Sequence, residues 1–376
     1  MNILILHASA GSGHKRAAEA LAKAFALAQP DATLAVRDIL DFTTPLFRKS
    51  YGTGYLDLVR KAPELWGYMY SQSDRHALEP FRQKVRAAFN DAQARAFRNF
   101  CDDFKPDAAV CTHFMPLEML SRRTGARRKE RIPLYGVVTD YGVHALWIVQ
   151  HVRRYFVATE ESRRLLIRKG YSAEQVSVTG IPVDSIFASA EPAAQVRARL
   201  GLRQDLPTVL IMSGGFGVGP TVDLLRSFVE LKGACQLLVV AGANKRLQQD
   251  VAHVASTLEC PVKVYGFVNN VHELMDAADL VVSKPGGLTT SEILAKGKPM
   301  IVVDPIPGQE QRNCEYLLEA GAAVRLYAPE DAPFKVQSLL DDPRRLQQMR
   351  VNAQSIARSQ AAAEIVHTIL ADAGRL

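Results

Sequence analysis

The chain has 376 residues, 48% of them apolar and 23% charged, with a formal net charge of +7. That length supports two domains with separate cores, and the balance excludes a disordered or fibrous chain. The opening Met1-Asn2-Ile3-Leu4-Ile5-Leu6-His7 lacks the basic region of a signal peptide, and no apolar run approaches the roughly 20 residues a spanning helix needs. The five cysteines form no C-x-x-C pair, so free thiols in a reducing cytoplasm are expected.

The charge is uneven. Residues 1–190 carry 27 Lys and Arg against 19 Asp and Glu, whereas the remainder carries 19 against 20. A positive first half suits an anionic membrane surface, an acidic substrate or simple solubility. No nucleic-acid-binding motif accompanies it, so nucleic acid is not an expected partner.

Apolar runs at Asn2–Ala8, Thr33–Val36, Ala108–Thr112, Leu134–Thr139, Tyr155–Ala158 and Val176–Val178 alternate with segments of helical period. A second series follows at Thr208–Met212, Gln236–Ala241, Val262–Tyr265, Leu280–Ser283, Met300–Val303 and Val324–Leu326. Strands that are apolar throughout predict parallel sheets covered on both faces. The fold class is therefore α/β, with two doubly wound Rossmann-like domains facing across a cleft and ligands at the strand carboxyl ends. The predicted domains are residues 1–183 and 184–354, joined near Gly180-Ile181-Pro182-Val183-Asp184. A terminal helix, roughly Asp342 to Asp372, is expected to return onto the first domain over about 355–376.

Three turns carry the chemistry. The first strand runs into Ser9-Ala10-Gly11-Ser12-Gly13-His14-Lys15, followed by a predicted helix Arg16–Ala28. Gly11 and Gly13 fit G-x-G, but Arg16 stands where a dinucleotide fingerprint needs its third glycine. His14 is either a polar helix-start residue satisfied by backbone or a base facing the cleft. The strand Thr208–Met212 leads to Ser213-Gly214-Gly215-Phe216-Gly217-Val218-Gly219, a better cradle for a pyrophosphate. No D-x-D occurs, so metal-independent chemistry without a cofactor is expected, with helix N-termini in place of a cation.

The third turn is Lys284-Pro285-Gly286-Gly287-Leu288-Thr289-Thr290-Ser291-Glu292, followed one strand later by Pro307-Gly308-Gln309-Glu310-Gln311-Arg312-Asn313. Side-chain oxygens and amides at neighbouring strand ends suit a ligand covered in hydroxyls, which points to a sugar nucleotide. Thr289 and Glu292 also fit a capping box, the competing reading for Glu292.

With these residues in hand, the chain resembles the monogalactosyldiacylglycerol synthase and processive diacylglycerol glucosyltransferase family, inverting GT-B enzymes. The matching residues are Ala8 to His14, Thr139-Asp140-Tyr141 with His144 and Trp147, Gly214-Gly215, Lys284 to Gly287 with Thr290 and Glu292, and Pro307 to Glu310 with Asn313. The resemblance implies transfer of a hexose from a UDP-sugar to a lipid acceptor, diacylglycerol or a related glycolipid. It places Gly214, Gly215, Phe216 and Gly217 under the diphosphate and Phe267 and Val268 on uracil. Glu292 is placed on the ribose and Gln309, Glu310 and Gln311 on the diphosphate or hexose, with Gly286, Gly287, Thr289 and Asn313 as further donor-binding residues. His14 or Asp140 would be the base. A UDP-sugar epimerase and a non-enzymatic nucleotide-sugar-binding protein are the alternatives on the same architecture.

Residues 47–70 contain six aromatics, Phe47, Tyr51, Tyr55, Trp66, Tyr68 and Tyr70, interleaved with Arg48, Lys49, Arg60 and Lys61. Such a pattern is either core at helical spacing or a peripheral contact with an anionic cytoplasmic membrane surface. Gly13 joins this acceptor side.

Overall fold

Alternation along each strand decides which residues enter which layer. The structure, a computed structural model, describes residues 1–375 except 10, 50, 52–61, 63, 66, 69, 71–90, 126–131, 216, 218 and 232, and excepting the side chains of 91–94 and 122–125. Tyr55, Arg60, Lys61, Pro63, Trp66, Arg127, Arg128, Lys129, Arg131 and Phe216 therefore lie outside the described residues.

The chain divides into two compact units: residues 1–185 with 307–309 and 360–376, and residues 186–306 with 310–359. The first contains strands β1 (Asn2–His7), β2 (Thr33–Asp38), β3 (Ala108–Cys111), β4 (Leu134–Val137), β5 (Arg154–Val157) and β6 (Val176–Val178). They form one parallel sheet in the order β2-β1-β3-β4-β5-β6. Helices α1 (Ser12–Ala28), α2 (Asp91–Phe104), α3 (Phe114–Gly125) and α4 (Glu160–Arg168) accompany it. On β1, Ile3 and Ile5 join one buried layer with Leu21 and Phe25 of α1, while Leu4 and Leu6 join the opposite layer with Phe97 of α2 and Leu117 of α3. Burial on both faces is why these strands carry apolar residues without alternation.

The second unit holds β7 (Thr208–Met212), β8 (Gln236–Val240), β9 (Val262–Tyr265), β10 (Leu280–Ser283), β11 (Met300–Val302) and β12 (Ala323–Arg325). Their order is β12-β11-β10-β7-β8-β9, again parallel throughout. The accompanying helices are α5 (Ala193–Arg199), α6 (Thr221–Ser227), α7 (Lys245–Ala255), α8 (Val271–Ala277), α9 (Gly287–Ala295), α10 (Gln309–Glu319), α11 (Ala332–Leu340) and α12 (Pro343–Ile356). The doubly wound reading of both halves holds.

Each strand order reverses once: between β1 and β3 in the first sheet, and between β7 and β10 in the second. At a reversal, consecutive crossovers leave for opposite sides and open a crevice at the carboxyl ends. The three turns singled out in the sequence follow β1, β7 and β10, three of the four strands that flank these reversals.

The predicted single terminal helix is instead two. Helix α12 stops at Ile356, Ala357 is extended (φ −65°, ψ 141°), and α13 (Ala361–Asp372) begins anew. Residues 357–360 contain neither glycine nor proline, so nothing local announces the break. Tertiary packing imposes it: Ile365, Val366, Ile369 and Leu370 of α13 are buried with Leu21 and Phe25 in the first unit. Arg154 at the start of β5 fastens the end of α13, its guanidinium donating to both Asp372 carboxylate oxygens at 3.0 and 2.8 Å.

The second unit begins beside a buried ion pair. Lys296 Nζ donates to Asp276 Oδ2 at 2.7 Å, with side chains only 1% and 2% exposed, and also bonds the carbonyl of Ser189. Lys296→Met would strand the Asp276 carboxylate without its cation, at a cost of about 3–5 kcal/mol. Urea unfolding checks this: the single variant should lose that stability, while Lys296→Met with Asp276→Leu should lose distinctly less. Equal losses would show that the pair's charge is unimportant.

Candidate active site

Helix α1 starts at Ser12, four residues before the predicted Arg16, so Gly13, His14 and Lys15 lie in its first turn. Gly11 is the extended N-cap and supplies no side-chain cap. The alanine-rich sequence propagates the helix back to the first residue the glycines permit. Lys15 turns outward to Glu19 at 3.7 Å, while His14 turns inward.

His14 Nδ1 lies 2.9 Å from the carbonyl oxygen of Thr112, just after β3, and 2.9 Å from Thr139 Oγ1, just after β4. A carbonyl can only accept, so the partner assigns the hydrogen to Nδ1 and leaves the lone pair on Nε2. Thr112 Oγ1 returns a hydrogen bond to the His14 carbonyl at 2.8 Å. The His113 ring meets His14 edge-on at 4.6 Å between centroids. Burial pushes the His14 pKa down to about 4, reinforced by the nearby His7, while the Thr112 carbonyl opposes the shift. The imidazole is therefore neutral at pH 7, the state a proton acceptor requires.

The neighbouring histidines have different tasks. His113 Nδ1 accepts from Met115 N–H at 3.0 Å, and burial holds its pKa well below the usual range. His144 caps the short helix Ala145–Trp147 by accepting from Leu146 N–H at 3.1 Å, and its Nε2 donates to the Tyr70 carbonyl at 3.2 Å. His7 is buried with Nδ1 unpartnered among the described residues, and burial lowers its pKa as well.

Asp140 is buried, and both its oxygens accept from Gln309 Nε2, at 3.2 and 3.1 Å. The adjoining Tyr141 carbonyl is fixed by the hydroxyls of Thr159 (3.1 Å) and Ser162 (2.9 Å) at the start of α4. Of the two candidate bases, Asp140 is thus engaged by an amide donor, whereas His14 presents a defined lone pair.

On the acceptor side, Phe47 and Tyr51 stack at 5.3 Å and pack against the core of the first unit, the ordinary fate of aromatics at helical spacing. Arg48 pairs with Asp41 and donates to the Leu40 carbonyl. Lys49 is exposed. Leu46, Leu65 and Tyr68 stand out, 80%, 52% and 62% exposed.

In the second unit, Gly214 (φ +71°) and Gly217 (φ +61°) take left-handed backbone in the loop after β7. A Cβ on Gly217 would sit 2.5 Å from the Ala241 carbonyl oxygen, whereas Gly214 faces open space. Gly214 and Gly215 are exposed, which leaves room for a ligand to approach the backbone. Beneath them the Ser213 and Thr221 hydroxyls bond each other at 2.8 Å. Lys284 lines the same crevice as Ser213, Gly219 and Thr221, its Nζ 2.8 Å from Asp304 Oδ2. The sequence reading gave Lys284 no role; its signal was a cation set directly between a strand and a Gly-Gly pair.

Gly286 is the N-cap of α9 and makes no side-chain cap, with Thr289 already inside the helix. The capping-box reading of Glu292 is overturned, because Thr289 is not at the cap position the motif requires. Glu292 is 3% exposed within α9, and Thr290 Oγ1 is buried without a hydrogen-bond partner among the described residues. Asn313 is fully buried, and its Nδ2 donates to the Pro285 carbonyl at 2.9 Å, pinning the turn ahead of the two glycines.

The polar residues after β11 begin α10 at Gln309. Glu310 Oε2 accepts from Ile306 N–H at 2.8 Å, and its Oε1 lies 3.5 Å from where a Gly286 Cβ would stand. Gln311 is exposed and donates to Glu315 Oε1 one turn on, at 3.0 Å. Phe267, just after β9, is 69% exposed, and Val268 is half-buried.

Two parallel sheets with glycine turns at their reversals define a nucleotide-sugar enzyme of the GT-B type. The comparisons then give the family. Residues 14–183 match the monogalactosyldiacylglycerol (MGDG) synthase model and residues 208–369 the glycosyltransferase family 28 C-terminal domain. The processive diacylglycerol beta-glucosyltransferase of Bacillus mycoides (strain KBAB4) is 32% identical over 98% of this chain and 93% of its own. That of Bacillus cereus (strain 03BB102) is 31% identical over the same shares. The chain belongs to this family of diacylglycerol glycosyltransferases. Among solved structures, Acinetobacter baumannii MurG (TM-score 0.61, 16% identity, 98% of this chain and 99% of that one) shares the fold. So does the UDP-GlcNAc 2-epimerase of Neisseria meningitidis bound to UDP-GlcNAc (TM-score 0.61, 16% identity, 99% and 100%).

The depressed His14 pKa is directly measurable. In a proton NMR titration, the His14 ring signals should stay flat from pH 8 to about 5 and move with a midpoint of about 4. A midpoint near the ordinary value of about 6.5 would contradict the neutral, buried imidazole.

Proposed function

We propose that the protein transfers a hexose from a UDP-sugar to the free hydroxyl of diacylglycerol, with inversion at the anomeric carbon. The observation that carries the mechanism is the His14 tautomer. With Nδ1 committed to Thr112 and Thr139, Nε2 is a neutral acceptor for the lipid hydroxyl proton. As that proton moves to Nε2, the hydroxyl oxygen bonds the anomeric carbon, and the bond from that carbon to the phosphate oxygen breaks with its electron pair leaving on UDP. The leaving diphosphate is held by backbone amides of the Gly214–Gly219 loop and by Lys284, a cation 13% exposed in the adjoining crevice. Glu292 takes the ribose hydroxyls, and Phe267 with Val268 takes the uracil. Asn313 and Glu310 support the Gly286-Gly287 turn from behind. In this reading Asp140 orients Gln309 instead of acting as the base.

The amide cradle and Lys284 supply the positive potential that a divalent ion provides elsewhere, which supports metal-independent transfer. The protein would work at the cytoplasmic face of the membrane, with Leu46, Leu65 and Tyr68 meeting the lipid surface. Among the described residues no helix is long and apolar enough to cross a membrane.

Transfer to diacylglycerol in vesicles tests the reading. His14→Ala should reduce kcat by about a hundredfold or more with UDP affinity kept within about twofold. Equal loss of transfer and UDP binding would remove His14 from the chemistry. Lys284→Met should weaken UDP binding about tenfold or more, consistent with loss of a charge-assisted contact. Excess EDTA should leave the rate unchanged, and a large loss reversed by magnesium would refute metal independence.

A further inference from the structure

Nucleophile-activating bases are commonly oriented by a third group, most often a carboxylate on the far ring nitrogen. Among the described residues His14 has no carboxylate there. Its Nδ1 is met by two neutral oxygens, the Thr112 carbonyl and the Thr139 hydroxyl, each at 2.9 Å. We propose that Thr139 is a positioning residue of the transfer reaction, its hydroxyl sharing the Nδ1–H of His14 with the Thr112 carbonyl so that the ring is fixed in plane and the imidazolium is stabilised as it forms. The proposal rests on the reading of His14 as the base.

Three features of the structure favour this role. First, two acceptors on one N–H define a plane, and rotating the ring about its stem would break both bonds together. Second, Thr139 is itself held: it is 5% exposed, immediately before Asp140, and the Tyr141 carbonyl two residues on is fixed by Thr159 and Ser162. Third, when Nε2 takes a proton, the Nδ1–H becomes a charged donor, and hydrogen bonds from charged donors are roughly twice as strong as neutral ones. The bond to Thr139 is then stronger in the transition state than in the resting enzyme, the condition for an interaction to raise kcat and not merely tighten binding. Among the described residues the titratable groups shown to act on or meet His14 are His7 at the end of β1 and His113 after β3, both with pKa values lowered by burial. A neutral orienter in this setting keeps the base weakly basic and uncharged, whereas a carboxylate would raise its pKa.

The test compares Thr139→Val, which keeps the shape and removes the hydroxyl, with Thr139→Ser, which restores it. The full-length protein is assayed with UDP-sugar and diacylglycerol vesicles, with His14→Ala in parallel. Thr139→Val should lose about tenfold or more in kcat, with donor KM and UDP affinity within about twofold and an unfolding midpoint within a few degrees. Thr139→Ser should recover most of the rate. A Val variant with kcat within about twofold of the parent would overturn the proposal. So would Val and Ser variants equally impaired, or a Val variant whose rate loss is matched by lost stability or raised KM. If His14→Ala itself retains transfer, the base assignment fails instead, and the two failures are told apart within one set of assays.

Discussion

A parallel strand buried on both faces has only its two ends left for anything but packing. Here all six strands of each sheet run the same way, so every carboxyl end falls on one edge. Side chains along the strands are consumed by the core, as Ile3, Leu4, Ile5 and Leu6 illustrate, none of them exposed. Chemistry is therefore confined to the turns that follow the strands. His14 follows β1, Thr112 and His113 follow β3, Thr139 and Asp140 follow β4, the glycine loop follows β7, and Lys284 follows β10. The position of each of these groups is inherited from the direction of its strand.

The two units present opposite electrostatic character at these edges. In the first, burial lowers the pKa values of His7, His14 and His113, and His14 and His113 are held by a carbonyl, a hydroxyl and a backbone N–H group. In the second, the loop after β7 offers open backbone, and Lys284 adds a nearly buried cation beside it. In the proposed reaction the first environment would accept the proton and the second would hold the departing diphosphate.

Much of this was legible in the sequence because it depends on local rules. β7, β9 and β10 begin and end at the predicted residues, since apolar runs bounded by turn residues fix their own limits. Helix starts were less legible. Gly11 and Gly286 cap without side chains, so neither α1 nor α9 announces its first residue, and Thr289 mimicked a cap one turn too late. Partners distant in sequence were not legible at all. Nothing near Asn313 says that its amide reaches back to Pro285, and nothing near His14 says that residues 112 and 139 set its tautomer. The break between α12 and α13 belongs to the same class, being imposed by the core that α13 enters.

That core gives the chain an unusual order of assembly. Helix α13 comes after every element of the second unit in sequence yet fills the layer formed by β1 and α1. Domains usually acquire their structure in the order in which the ribosome releases them. In this polypeptide the layer containing Ile3, Ile5, Leu21 and Phe25 stays incomplete until α13, which follows the whole second unit in sequence, has been made. The second unit, interrupted by no such debt to a distant terminus, can be finished while the first is still open.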